Sequence, residues 1–182
     1  AKVARAAVRA GASIVNDVSG LTHDPKLAGY CAENGLPVCV MHSQGDPETM
    51  QDDPVYEDVL LDVYDFLERQ VDMLEAQGLA RGKIIVDPGI GFGKNSLQSL
   101  QILRRAGEFR RHGLRVLIGH SRKSFLSHLA GDQSVDKDLA TLGVSLQLCE
   151  QGVDVLRVHD VPLHTSAYRG WSHLQSTSDR PR

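Results

Sequence analysis

The residues best placed to do chemistry form Asp87-Pro88-Gly89-Ile90-Gly91-Phe92-Gly93-Lys94, which follows the apolar run Ile84-Ile85-Val86. The β-branched run suits a strand covered on both faces, and Pro88, lacking an N–H, stops the ladder so that Asp87 is fixed at a strand end. One carboxylate is thereby delivered to a ligand site. Glycines allow close backbone approach to a ligand, although an ordinary βα turn packed tightly explains the three glycines equally well. Two phosphate-binding patterns are excluded. A Walker loop would need glycine at Pro88 and Ser or Thr at Asn95, and a dinucleotide fingerprint would place its third glycine at Lys94.

The same arrangement recurs along the chain. Ile14-Val15 runs into Asn16-Asp17, Val38-Cys39-Val40 into Met41-His42, Val116-Leu117-Ile118 into Gly119-His120-Ser121-Arg122-Lys123, and Val155-Leu156 into Arg157-Val158-His159-Asp160. With Ile84-Ile85-Val86 that makes five apolar strands, each ending in polar residues. Gly11, Gly35, Gly78, Gly113 and Gly152 precede the strands, where helix C-caps are expected. Between them, Val55, Val59, Val63, Phe66, Leu67, Val71 and Leu74 recur at helical steps, as do Leu97, Leu100, Leu103 and Ala106, and Leu139, Leu142, Leu146 and Cys149. A further helix is expected over Thr165 to Leu174, followed by a polar tail over 176–182.

Strands alternating with amphipathic helices imply an α/β fold with a parallel sheet and right-handed crossovers. A doubly wound sheet concentrates its ligands at one switch point, whereas a barrel uses loops from several strand ends. Polar residues after all five strands favour the (β/α)8 TIM barrel. Such a barrel usually has about 250 residues and no fewer than about 200. The 182 residues here supply five strand units and open without methionine in a helix-like run, so the sequence is expected to be the C-terminal part (1–175) of a single barrel domain.

Composition narrows the class. The chain is 41% hydrophobic and 24% charged, with no apolar run long enough for a bilayer and no signal-peptide pattern, so a cytoplasmic protein is expected. A net charge of −3 argues against a general nucleic-acid surface. Cys31, Cys39 and Cys149 form no CxxC pair and read as small core residues. The eight histidines include no HExxH, which argues against a protein-held zinc site.

Taken together, Asn16-Asp17-Val18-Ser19-Gly20, Met41-His42-Ser43-Gln44-Gly45, Asp87 to Lys94, Ser121-Arg122-Lys123-Ser124 and Arg157-Val158-His159-Asp160-Val161 resemble the dihydropteroate synthase family in order and spacing over nearly the whole chain. The resemblance implies a pterin-binding (β/α)8 enzyme of folate biosynthesis, a sulfonamide target. It condenses 6-hydroxymethyl-7,8-dihydropterin diphosphate with p-aminobenzoate, giving 7,8-dihydropteroate and diphosphate. On that alignment the chain carries barrel strands 4 to 8.

The resemblance also implies the roles. Asn16, Met41, Asp87, Gly119, Lys123 and Arg157 bind the pterin. A carboxylate at Asp87 accepts from two adjacent N–H groups of the pterin edge, while Asn16 offers both donor and acceptor. Without the shared register, Asn16 would more simply cap a turn and Lys123 be solvated. Arg157 and His159, two residues apart and on one side of a strand, receive the diphosphate, the guanidinium plane also covering the heterocycle. The competing reading is an ion pair of Arg157 with Asp160. Phe92, Lys94 and Ser124 surround p-aminobenzoate, and Lys123, Arg157 and His159 are the catalytic candidates. Mg²⁺ accompanies the diphosphate, with no metal ligand in this chain, because the family's metal-contacting asparagine falls upstream of Ala1. So do its second-strand arginine and third-strand aspartate, and the chain alone is therefore expected to be inefficient. A homodimer through the late helices is expected. His120 receives no role. The alternatives are a corrinoid-dependent methyltransferase domain, which has no need of the aryl-acid and diphosphate residues, and a non-catalytic pterin-binding fragment.

Overall fold

The computed structural model describes residues 1–45, 54–131, 134 and 136–176. Five strands form one parallel sheet: β1 (Val15–Asp17), β2 (Val38–Met41), β3 (Ile84–Asp87), β4 (Arg115–Ile118) and β5 (Val155–Leu156). Their spatial order is their chain order. A doubly wound sheet turns back at its switch point, and this one never does, so every crossover advances in the same direction. The α/β class with a parallel sheet is as expected. Every residue of β2 and β3 is buried, which is why these strands read as unbroken β-branched runs rather than as alternating ones.

The helices are α1 (Lys2–Arg9), α2 (Pro25–Glu33), α3 (Val59–Ala76), α4 (Ser96–Arg104), α5 (Phe125–Ala130), α6 (Lys137–Glu150) and α7 (Val161–Ser176), with 3₁₀ turns at Arg81–Lys83 and Ala106–His112. Val63, Leu67, Val71 and Leu74, the expected stripe of α3, are buried in one core with Val38, Val40, Ile84 and Val86 of the central strands. The stripe does not extend to Val55, which is 72% exposed, because Asp58 caps the helix and starts it at Val59. Ala106 falls in a 3₁₀ turn instead of continuing α4, and Leu97 and Leu139 face outward. Gly35 and Gly113 adopt the left-handed backbone expected of residues that end a helix. The polar tail lies outside the described residues from position 177 onward.

Side-chain caps begin several of the helices. Asp58 accepts from the N–H groups of Leu60 and Leu61 at 2.9 and 3.1 Å, and Asn95 forms a reciprocal capping box with Gln98. Removing such a cap costs about 1 kcal/mol. Asp58→Ala is therefore expected to lower the melting temperature by roughly 2–4 °C in a chain of this size, measured by circular dichroism. Asp160 does the same at α7, accepting from the Leu163 N–H at 2.9 Å, so the last helix begins earlier than Thr165. Among the described residues no helix is long and apolar enough to cross a membrane.

Candidate functional site

Register decides which side chains share a face. Asn16 pairs with Cys39 and Cys39 with Ile85, Met41 pairs with Asp87, and Leu117 pairs with Val155. Side chains alternate along a strand, so Asn16, Met41, Asp87, Gly119 and Arg157 all belong to the same face, with Cys39 and Ile85 beneath Met41 and Asp87. Asp17, Val40, Val86 and Ile118 point the opposite way. Asp17 is occupied locally, accepting from Ser19 Oγ at 2.6 Å and from the Leu21 N–H at 2.7 Å.

Asp87 is the most perturbed carboxylate of that face. It is 6% exposed, and burial pushes its pKa up from 3.8 to about 6, against the opposing pull of the Gly89 N–H, Lys123, Lys94 and Arg157. Its Oδ1 accepts from the Gly89 N–H at 2.8 Å. Lys123 arrives from the loop after β4, donates from Nζ to the Ile90 carbonyl, and stands 4.5 Å from the centre of the Phe92 ring. Burial draws its pKa down to about 8 although Asp87 acts to raise it. Phe92, Lys94, Lys123 and Ser124 line one cleft with Asn95 and Ser99. Gly119 approaches Arg157, a Cβ there standing 3.9 Å from that of the arginine. Asn16, exposed on the edge strand, lines a separate cleft beside α1 and α2.

The Ser121-Arg122-Lys123-Ser124 stretch divides its labour. Arg122 adopts a left-handed backbone (φ 59°) and turns to α6, where its guanidinium grips Asp138 bidentately at 2.7 and 2.8 Å and its N–H meets Thr141 Oγ1 at 3.1 Å. That anchor fixes the loop while Lys123 turns to the Ile90 carbonyl and the Phe92 ring. Ser121 Oγ lies 2.9 Å from His159 Nδ1 and accepts the His159 N–H at 3.2 Å, so it orients the imidazole. His120 is fully buried, its Nε2 2.9 Å from Ser145 Oγ, and burial pulls its pKa down to about 4. It joins β4 to α6 and does not face the cleft residues.

Two residues of this region had no role in the sequence reading. Ser121 was visible only as part of a motif, because its partner lies 38 residues further on. His42 proves to be the contact of Lys94, which is 1% exposed. The glycines have a more specific purpose than approach to a ligand. A Cβ on Gly89 would fall 1.9 Å from the His42 carbonyl oxygen, and one on Gly93 would fall 2.4 Å from that of Gln44. They let the β3 loop lie directly on the backbone of the β2 loop.

A carboxylate whose charge is costly to bury, a lysine close to it and an exposed arginine and histidine after β5 have the chemistry to receive a planar N–H-rich ring joined to an anion. The family described as pterin binding enzyme matches residues 1–159. The dihydropteroate synthase of Escherichia coli K12 is 38% identical over 168 residues, covering 92% of this chain and 59% of the relative, so the chain spans less than two thirds of that protein. A crystal structure of the Stenotrophomonas maltophilia dihydropteroate synthase, with imidazole in its active site, superposes with a TM-score of 0.92 at 35% identity, over 98% of this chain and 67% of the other. The Thermus thermophilus enzyme in complex with 6HMPPP gives 0.89 at 35% identity, over 96% and 69%. Its complex with 4-aminobenzoate gives 0.88 at 36%, over 96% and 71%.

Proposed function

As this chain belongs to the pterin-binding enzyme family, we propose that it forms the substrate pocket of a dihydropteroate synthase. The reaction joins 6-hydroxymethyl-7,8-dihydropterin diphosphate to p-aminobenzoate and releases diphosphate. The observation that carries the reading is the common face of Asn16, Met41, Asp87, Gly119 and Arg157, with Lys123 near enough to act on the Asp87 charge and the Phe92–Ser124 cleft alongside. The five strands are strands 4 to 8 of a (β/α)8 barrel, a reading supported by their unreversed order, and the family reading extends to a cytoplasmic homodimer.

Asp87 accepts two pterin N–H groups, Asn16 reads the neighbouring ring atoms, and Lys123 donates to the pterin carbonyl. The guanidinium of Arg157 pairs with diphosphate oxygens and covers the ring, and His159, oriented by Ser121, meets the same anion. Phe92 and Ser124 flank the aminobenzoate, with Lys94 in the wall of the same cleft. The bond from the pterin methylene carbon to the diphosphate oxygen breaks, its electron pair leaving on diphosphate. The arylamine lone pair then forms the C–N bond, and the ammonium proton passes to solvent. Stabilising the departing charge is the main task of Arg157 and His159. Mg²⁺ enters with the diphosphate. Among the described residues no three His, Cys, Asp or Glu side chains cluster to hold an ion.

Purified protein supplied with both substrates and Mg²⁺ is expected to release one diphosphate per arylamine consumed, followed by a coupled phosphate assay. Arg157→Lys, which keeps the charge but loses the planar fork, should slow release about a hundredfold. Saturable pterin binding without diphosphate release, by protein that carries the family's upstream strand loops, would overturn the synthase reading and favour a methyltransferase or a binding protein.

A further inference from the structure

The side chain of Lys94 is engaged within the protein. Its Nζ lies 3.1 Å from the Gly89 carbonyl, 3.0 Å from that of Phe92 and 2.8 Å from His42 Nδ1. Burial lowers the Lys94 pKa to about 7, and in its ammonium form three protons meet these three acceptors, with the His42 carbonyl more distant at 3.5 Å. The match requires a lone pair on His42 Nδ1, hence a neutral imidazole. Burial and the Lys94 charge enforce one, lowering the His42 pKa to about 3. The ring is held edge-on by Phe66, their centroids 4.9 Å apart.

Two of the acceptors belong to the turn that leads from Asp87 to Lys94, and the third belongs to the loop after β2. One buried group therefore closes the turn on itself and ties it to its neighbour. That turn carries Phe92 at one end and, through the Gly89 N–H, grips Asp87 at the other. Tyr56 adds a bond of its own to the Gly93 carbonyl at 2.6 Å.

We propose that Lys94 is a positioning residue rather than a contact for the aminobenzoate carboxylate: its three hydrogen bonds hold the 89–93 turn in the shape that sets Phe92 and Asp87 for their ligands. The inference rests on the synthase reading. It differs from the sequence expectation because Lys94 sits in the wall of the aminobenzoate cleft yet directs its donors inward.

The deciding experiment compares wild type with Lys94→Met, which keeps length and apolar packing but removes the donors, using 4-aminobenzoate and its uncharged analogue 4-aminobenzamide. Positioning predicts that KM rises about tenfold for both ligands. The effects of Lys94→Met and His42→Phe should then be strongly non-additive, because they break the same contact. A loss confined to 4-aminobenzoate would mean direct carboxylate contact and would overturn the proposal, as would no loss at all. If Lys94→Met does not fold, His42→Phe carries the same comparison, since it removes one acceptor and keeps a ring against Phe66. An equal rise for both ligands then supports the proposal, and any other pattern overturns it. A folded wild type that carries the family's upstream strand loops and still does not use 4-aminobenzoate would refute the synthase reading and this inference together. An active wild type with a carboxylate-specific loss would refute the positioning role alone.

Discussion

Asp87→Asn is expected to weaken dihydropterin diphosphate binding by a hundred- to a thousandfold in a calorimetric titration, and at the same time to raise the melting temperature at pH 8. The first effect follows from replacing an anion that accepts two N–H groups by an amide that can accept at only one oxygen and presents its own N–H to the other. Hydrogen bonds to a charged group contribute about 1.5–3 kcal/mol each, so on the order of 3–4 kcal/mol is lost. The second follows from the cost of the buried charge. Asp87 keeps its proton up to about pH 6 in the folded protein, against an ordinary 3.8. Between those values the folded state binds more protons than the unfolded one, so stability is highest below 3.8 and falls as pH rises through 6. The penalty is on the order of 3 kcal/mol at most when fully ionised. Asparagine never ionises. Its advantage should be present at pH 8, amounting to no more than roughly 6–12 °C, and absent at pH 4. A variant that binds pterin normally would remove Asp87 from the site, and one that melts lower at pH 8 would contradict the burial argument.

Gly89→Ala should be the most damaging small substitution in the chain. Its backbone is left-handed (φ 70°), and the new methyl group would meet the His42 carbonyl oxygen at 1.9 Å. The backbone conformation alone costs about 1–2 kcal/mol for a residue with a Cβ. The collision cannot be relieved by a rotamer, because the obstacle is main chain, and His42 N–H is itself bonded to the Asp87 carbonyl at 2.9 Å. A total near 4 kcal/mol, or a fall of roughly 8–16 °C, is expected by calorimetry. Gly11→Ala provides the contrast. Its φ is also positive, at 105°, but nothing lies within 4 Å, so only the backbone cost should register. Equal losses at the two positions would show that the close approach of the loops contributes nothing.

What could be read from sequence was local. Runs such as Ile84-Ile85-Val86 declare a doubly covered strand, and a glycine before each strand marks where a helix must end. The stripe from Val63 to Leu74 follows from a period of 3.6. What escaped depended on partners far away in the chain. Lys94 reads as a contact for p-aminobenzoate until His42, 52 residues earlier, is brought against it. For the adjacent Arg122 and Lys123, the resemblance alone gave Lys123 a ligand role, and the anchoring of Arg122 on Asp138 of α6 needed the fold to be seen. Helix boundaries shifted for a smaller reason. Asp58 and Asp160 compete for the first free N–H groups, and that competition, more than apolar spacing, selects where α3 and α7 begin.

Cys39 lies in register beneath this site, on the face that carries Met41 and Asp87. It is 1% exposed, and burial together with the Asp87 charge pushes its thiol up to about 12. Nucleophilic attack by sulfur requires the thiolate, which burial beside the Asp87 charge makes scarce at neutral pH. Electrophiles built to label accessible cysteines, and peroxide at modest concentrations, should therefore pass this position by. An inhibitor aimed at the pocket must gain its residence time through non-covalent contacts with Asp87, Lys123 and Phe92, because the sulfur beneath them behaves as a hydrocarbon.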